Sequence, residues 1–287
     1  ILCLKKTVQV MCGICGVINL NNTPVDPSIV RKMMDSMKHR GPDDEGDFYD
    51  GNLGLGFVRL SILDLTRAGN QPMVTDDGRY AIVYNGEIFN YVELRDDLIK
   101  KGYRFRTRSD TEVLLASFTE WGEKCLDRLN GMWAFAIYDR VNKSLFASRD
   151  RYGIKPFYYY CDDQSIMFSS EINSILTVLK SKPEIDEQAV FDFLVFNRTD
   201  HNETTFFRGI KKLMHGSVAW IKDQSMTVKR WYELDNAVSD ASGFHSPEEF
   251  LSLLTDSVGL RLRSDVPVGV CLSGGLDSSS IVSILTG

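Results

Sequence analysis

The stretch Met11-Cys12-Gly13-Ile14-Cys15-Gly16 decides how this chain is read. A cysteine directly after a methionine, followed by glycines and the β-branched pair Val17-Ile18, sits where trimming of Met11 would leave a mature N-terminus at the mouth of a strand. Such a residue carries a thiol and a free α-amine together, nucleophile and base in one. The plainer reading of the same six residues is an internal cysteine pair opening a buried strand. The remainder of the chain has to decide between them.

Working outward, 287 residues with 43% hydrophobic and 25% charged side chains make a globular composition, long enough for one large domain or two. The net charge of −6, without a basic block, argues against a nucleic-acid partner. The longest apolar runs, such as Phe193 to Phe196, are far too short to span a bilayer, so a soluble chain with no membrane partner is expected. Ile1 to Val10 carry Lys5 and Lys6 in their middle and no small-residue cleavage site follows, which does not fit a secretory signal. Residues 1–10 therefore read as an N-terminal extension: a propeptide, an early start or an expression remnant. Cysteines at 3, 12, 15, 125, 161 and 271 show no disulfide-framework spacing, which points to a reducing compartment, the cytoplasm.

Asp26 as N-cap and Pro27 at the first helical position begin a helix with Ile29, Val30, Met33, Met34 and Met37 on one face. Asn52 to Leu60 and Arg79 to Tyr84 read as buried strands, and Asn85-Gly86 as a hairpin turn. Asn90 with Glu93, and Ser109 with Glu112, have capping-box spacing for helices ending near Gly102 and Gly122. Hairpins are expected from Met132–Asp139 with Ser144–Arg149, and from Pro156–Cys161 with Ser165–Ser170. Helices follow near 172–179 and 186–196, then a strand pair, 217–221 with 226–231. Helices and antiparallel strands mix without βαβ alternation, which gives an α+β class.

The stretch 231–245 reads as a linker. Beyond it, Ser246-Pro247-Glu248-Glu249 caps a helix running to about Arg263, and Val266 to Leu272 reads as a short strand. Ser273-Gly274-Gly275-Leu276-Asp277-Ser278 then leads into another helix. Glycines and a helix N-terminus suit a phosphate, although the lysine of the Walker pattern is missing. An ordinary serine-capped turn fits that loop about equally well.

Several motifs occur together and in order: Met11-Cys12-Gly13-Ile14-Cys15-Gly16, His39-Arg40-Gly41-Pro42-Asp43, Arg59-Leu60-Ser61-Ile62, Asn85-Gly86-Glu87-Ile88, Ser109-Asp110-Thr111-Glu112, and Arg149-Asp150 through Gly153-Ile154-Lys155-Pro156. In this order the chain resembles the class II glutamine amidotransferases. With the Ser273–Ser278 loop downstream, it resembles the glutamine-hydrolysing asparagine synthetases. The resemblance implies a four-layer αββα N-terminal-nucleophile sandwich with two antiparallel sheets over 11–230. It also implies the start of an α/β ATP-pyrophosphatase-type domain over 246–287, truncated within that domain. Glutamine would be hydrolysed in the first unit, and the ammonia would attack adenylylated aspartate in the second.

Residue by residue, the resemblance makes Cys12 the nucleophile and Asn85 and Gly86 the oxyanion hole. Arg59 grips the α-carboxylate of glutamine, Asp110 with Glu87 holds its α-ammonium, and Leu60 and Ile62 line the pocket. Leu272, Ser273, Gly274, Gly275, Asp277 and Ser278 would hold the pyrophosphate of ATP, with Asp277 acting through Mg²⁺. The implied partners are glutamine, aspartate and ATP, with no tightly bound cofactor and a homodimeric assembly. Without the resemblance, Arg59 reads as a structural ion pair and Asp110 as part of a helix cap. Cys12-x-x-Cys15 alone would allow a redox pair or half a zinc site, but the other cysteines and the four histidines are scattered, and Cys15 reads as core. His39, His201, His215 and His245 read as structural or surface residues. Two alternatives stay open: the same architecture acting on an acceptor other than aspartate, and a catalytically silent amidotransferase-like binding or stress-response module, as a retained Ile1 to Val10 would enforce.

Overall fold

Alternate residues of the strand that opens at Gly13 face opposite ways, and both faces are apolar, so the strand must be covered on both sides. Ile14 and Ile18 enter one core with Leu55, Phe57, Val83 and Phe168, while Cys15 and Val17 enter another with Val30, Met33 and Met34. The computed structural model describes residues 11–239 and 243–286. The extension assigned to 1–10 and residues 240–242 of the 231–245 linker lie outside the described residues.

The chain runs β1 (Gly13–Asn19), α1 (Pro27–Asp35), β2 (Asp44–Asp50), β3 (Leu53–Arg59), β4 (Met73–Val74), β5 (Tyr80–Ile88), α2 (Tyr91–Lys100), α3 (Asp110–Trp121) and α4 (Cys125–Arg128). It continues through β6 (Gly131–Asp139), β7 (Ser144–Arg149), β8 (Tyr158–Cys161), β9 (Ser165–Ser169), α5 (Ile172–Leu176), α6 (Glu187–Phe196), β10 (Ile210–Lys212), β11 (Ser217–Lys222) and β12 (Ser225–Arg230). Helices α7 (Leu234–Ser239), α8 (Pro247–Leu260) and α9 (Leu276–Thr286) follow. One sheet has the order β10-β8-β9-β1-β3-β2 and the other β12-β11-β7-β6-β5-β4, with antiparallel neighbours throughout. The methionines of α1 seal the outer face of the first sheet. Leu94 and Leu98 of α2, with Val113, Leu114 and Phe118 of α3, seal the second against Ile82, Phe135 and Phe146. The result is the expected αββα sandwich.

Asn85-Gly86 is not a turn. Strand β5 runs straight through it, pairing with β6 from Tyr80 opposite Asp139 to Ile88 opposite Gly131. The glycine is there for close approach: a Cβ at Gly86 would lie 2.3 Å from the Met132 carbonyl oxygen. The two capping boxes are also revised. The Asn90 side chain bonds the Arg128 carbonyl and the Asn130 N–H instead of its own helix, and Glu112 accepts from the N–H groups of Arg106 and Thr107. Ser109 does cap α3, accepting from Thr111 N–H at 3.1 Å. The 231–245 linker contains α7, and the helix after Ser246 ends at Leu260.

The strand expected at Val266 to Leu272 does not form. No strand among the described residues pairs with it, Val268, Val270 and Leu272 are exposed, and a strand without a partner is not stable in water.

Candidate active site

Cys12 enters β1 with its side chain against the core between the sheets. Its Sγ lies 3.4 Å from both the carbonyl oxygen and the amide nitrogen of Leu60. Arg40 Nε donates to the Cys12 carbonyl at 3.1 Å, and Arg40 is anchored in turn by Glu171. Burial pushes the Cys12 thiol above its ordinary pKa, opposed by the Leu60 backbone bond and then by the charges of Lys155 and Arg59. Cys15, three residues on, points to the opposite face of the strand and is wholly buried, which rules out a pairing with Cys12 and confirms it as core.

The edge of β5 beside Cys12 supplies the donors. Bonds from Phe89 N–H to Asn130 and from Arg140 N–H to Arg79 fix which pairs of the β5–β6 ladder are hydrogen-bonded. By that alternation Gly86 sits in a non-bonded pair with Trp133, and its N–H points away from β6. Along this outward edge Tyr84 N–H is taken by Gln71 Oε1 and Ile88 N–H by Asp110 Oδ2. Gly86 N–H, between them, has no protein acceptor among the described residues. Neither has Asn85 Nδ2, which is buried and unpartnered. Two adjacent donors thus face the cleft that Cys12 lines.

Arg59, Leu60, Ile62, Glu87 and Asp110 line the same cleft. Arg59 is nearly inaccessible, its guanidinium held by the carbonyls of Leu63, Asp64 and Thr66. Its Nε–H and one Nη1–H remain without a protein partner among the described residues, which leaves single, charge-assisted donors for a carboxylate. Asp110, at the start of α3, accepts from the Tyr84 hydroxyl and Ile88 N–H, both at 2.9 Å, and burial pushes its carboxyl up. Burial likewise raises Glu87, against the pull of the Lys155 ammonium.

Three contributors were not foreseen as site residues. Lys155 lines the cleft with its Nζ 3.4 Å from Met11 Sδ, and burial lowers its pKa. Its only sequence signal was membership of the Gly153–Pro156 motif. Gln71 braces β5 by bonding both the N–H and the carbonyl of Tyr84. Asp64, in the left-handed region at φ 51°, accepts from Thr66 and Arg108 and passes its own carbonyl to Arg59. Neither had a motif to mark it.

The phosphate-loop residues lie apart, at the start of α9. Leu272, Ser273, Gly274, Gly275 and Asp277 are exposed, and Ser278 Oγ closes the loop by bonding Ser273 and the Gly275 carbonyl. Among the described residues no three His, Cys, Asp or Glu side chains gather as a metal site, and no helix is long and apolar enough to cross a membrane. His39 pairs with Glu171 and His201 with Asp192, away from the cleft lining.

Residues 11–232 match the glutamine amidotransferase domain family, and residues 249–287 match the asparagine synthase family. The chain is 40% identical to asparagine synthetase [glutamine-hydrolyzing] 1 of Bacillus subtilis over 96% of its own length and 44% of that protein's. It is 39% identical to putative asparagine synthetase [glutamine-hydrolyzing] 2 of Methanocaldococcus jannaschii, covering 96% and 57%. The chain therefore spans about half the length of these relatives. Among solved structures, glutamine phosphoribosylpyrophosphate amidotransferase from B. subtilis shares the fold, with a TM-score of 0.57 at 20% identity over 77% of this chain and 49% of that one. With its sandwich, its cleft and a family match across the whole of both, this chain belongs to the glutamine amidotransferase domain family.

Proposed function

We propose that the Cys12 cleft hydrolyses glutamine, and that the released ammonia serves ATP-dependent amidation of aspartate in the protein to which this chain belongs. The observation that carries the proposal is the pair of unpartnered donors, Asn85 Nδ2 and Gly86 N–H, on the cleft beside the Cys12 thiol. A buried donor without an acceptor is costly unless a ligand supplies one. A tetrahedral oxyanion is such an acceptor.

Residues through Met11 are removed in this reading. Met11 lines the cleft itself, and its removal opens the space beside Lys155 and frees the α-amine of Cys12. That amine titrates at about pH 8, so it can take the thiol proton and return it to the leaving nitrogen. The thiolate attacks the side-chain amide carbon, and Asn85 and Gly86 hold the oxyanion. The C–N bond breaks to release ammonia, and water then hydrolyses the thioester to glutamate. Arg59 and Asp110 hold the amino-acid end.

Leu272 to Ser278 are assigned to the pyrophosphate of ATP. Asp277 is a lone exposed carboxylate, which suits a magnesium ion completing its shell with phosphate and water. Cytoplasmic location and a homodimer are part of the same reading. Asn85→Ala tests it: kcat for glutamine hydrolysis should fall about 10²–10³-fold with KM nearly unchanged, as expected for loss of one oxyanion donor. An unchanged kcat would remove the main support.

A further inference from the structure

Five residues beyond the end of α8, Asp265 reaches back across the chain to the lining of the Cys12 cleft. Asp265 N–H donates to the Ile62 carbonyl at 3.0 Å, and Asp265 Oδ2 accepts from Asp64 N–H at 2.8 Å. Two residues earlier, Arg263 donates to the Phe89 carbonyl at 2.7 Å and forms a forked ion pair with both carboxylate oxygens of Glu93. The Arg261 guanidinium lies over the Phe89 ring, 4.7 Å from its centroid. This strap touches the 62–64 loop on one side and the segment following β5 on the other. It lies within the residues that match the asparagine synthase family, outside the amidotransferase match.

The residue it holds most directly is a junction. Asp64 gives its carbonyl to Arg59, while its carboxylate accepts from Thr66 and from Arg108 N–H at 2.9 Å, two residues before Asp110. One residue thus ties together the supports of both groups assigned to the amino-acid end of glutamine. Asp64 does so in a left-handed backbone conformation that a non-glycine residue holds only when its surroundings fix it. Its N–H is fixed by Asp265.

We propose that Asp265 is a positioning residue of the glutamine site. It fixes Asp64, and through Asp64 the placement of Arg59 and Asp110, so that a segment of the second family unit sets the affinity of the first for glutamine. This rests on the glutaminase reading. It assigns Asp265 to substrate affinity and leaves the Cys12–Asn85 chemistry alone, so KM responds and kcat does not.

The test uses the chain with Cys12 exposed, and compares Asp265→Ala and Asp265→Asn with the parent in glutamine kinetics and in amide exchange across Leu60–Thr66. Asp265→Asn keeps an acceptor oxygen without the charge and should lie between the parent and Asp265→Ala. Asp265→Ala should raise KM for glutamine about tenfold with kcat within about twofold, the loss expected for one charge-assisted bond, and exchange across the loop should quicken. Parental KM and exchange in Asp265→Ala would overturn the positioning role alone, as would an Asp265→Asn variant as impaired as Asp265→Ala. A parent chain that hydrolyses no glutamine contradicts the glutaminase reading, and the positioning role falls with it.

Discussion

Lys155 illustrates how a single buried charge tunes this cleft. Its ammonium sits among Met11, Cys12 and Glu87, disfavours protonation of neighbouring groups, and is itself pushed toward neutrality by burial. Its charge favours the Cys12 thiolate, against a larger upward push from burial. Removing that charge must therefore raise the thiol pKa further. In Lys155→Met the pH midpoint for alkylation of Cys12 should move upward, while Lys155→Arg should stay near the parent. An unchanged or lower midpoint would show that the ammonium does not act on the sulfur. Neither Lys155 nor Asp64 was legible as a site residue in the sequence, because their roles come from tertiary neighbours: Asp64 meets Arg108 44 residues away and Asp265 201 residues away. Cys12, Arg59, Asn85 and Asp110 were singled out through the motifs that carry the family resemblance, and the structure brings the four to one cleft.

At the scale of elements, the loop after β7 is held by one carboxylate. Asp150 accepts from the N–H groups of Trp133, Tyr152, Ile154 and Lys155 at 3.0–3.2 Å, and so places Lys155 at the cleft. Asp150→Ala leaves several backbone donors without an acceptor and should cost about 3 kcal/mol in urea unfolding, along with much of the proposed glutaminase activity. A loss under about 1 kcal/mol would mean that water replaces the carboxylate. Helix α1 was readable because Asp26, Pro27 and the methionine face all agree, and the β6–β7 hairpin because its strands are short, largely apolar runs, buried on both faces, with turn residues between them. Strand β2 was missed because Asp44–Asp50 is a polar edge strand, paired on one side only, by Leu53–Arg59, with little burial to mark it. The Asn85-Gly86 turn was wrong for a related reason. Periodicity does not reveal that β6 lies alongside and demands a glycine.

For the molecule as a whole, pH acts on the folded state through carboxylates of opposite tendency. Asp139, at the end of β6, is buried, which pushes its carboxyl up, but bonds from Arg79, Asn142 and Val141 outweigh this and lower its pKa to about 2. A depressed folded pKa contributes stability above the unfolded value of about 3.9, and that contribution is lost as pH falls through about 2. Asp139→Asn should therefore flatten the dependence of unfolding free energy on pH between about 4 and 2, and an unaltered slope would show the carboxylate is not so held. Asp110 and Glu87 are raised by burial, so the cleft's own carboxyls are least comfortable at neutral pH, where the proposed chemistry needs Asp110 charged. The sandwich carries a cleft lined by the Cys12 thiol, by two donors left free among the described residues, and by Arg59 and Asp110. The most direct measurement is the intact mass of the chain before and after exposure to an electrophilic glutamine analogue, with fragmentation to find the adduct. A chain beginning at Cys12 that gains one adduct, on Cys12, is the result expected of a glutaminase. A chain beginning at Cys12 that gains none, or gains it elsewhere, would contradict it.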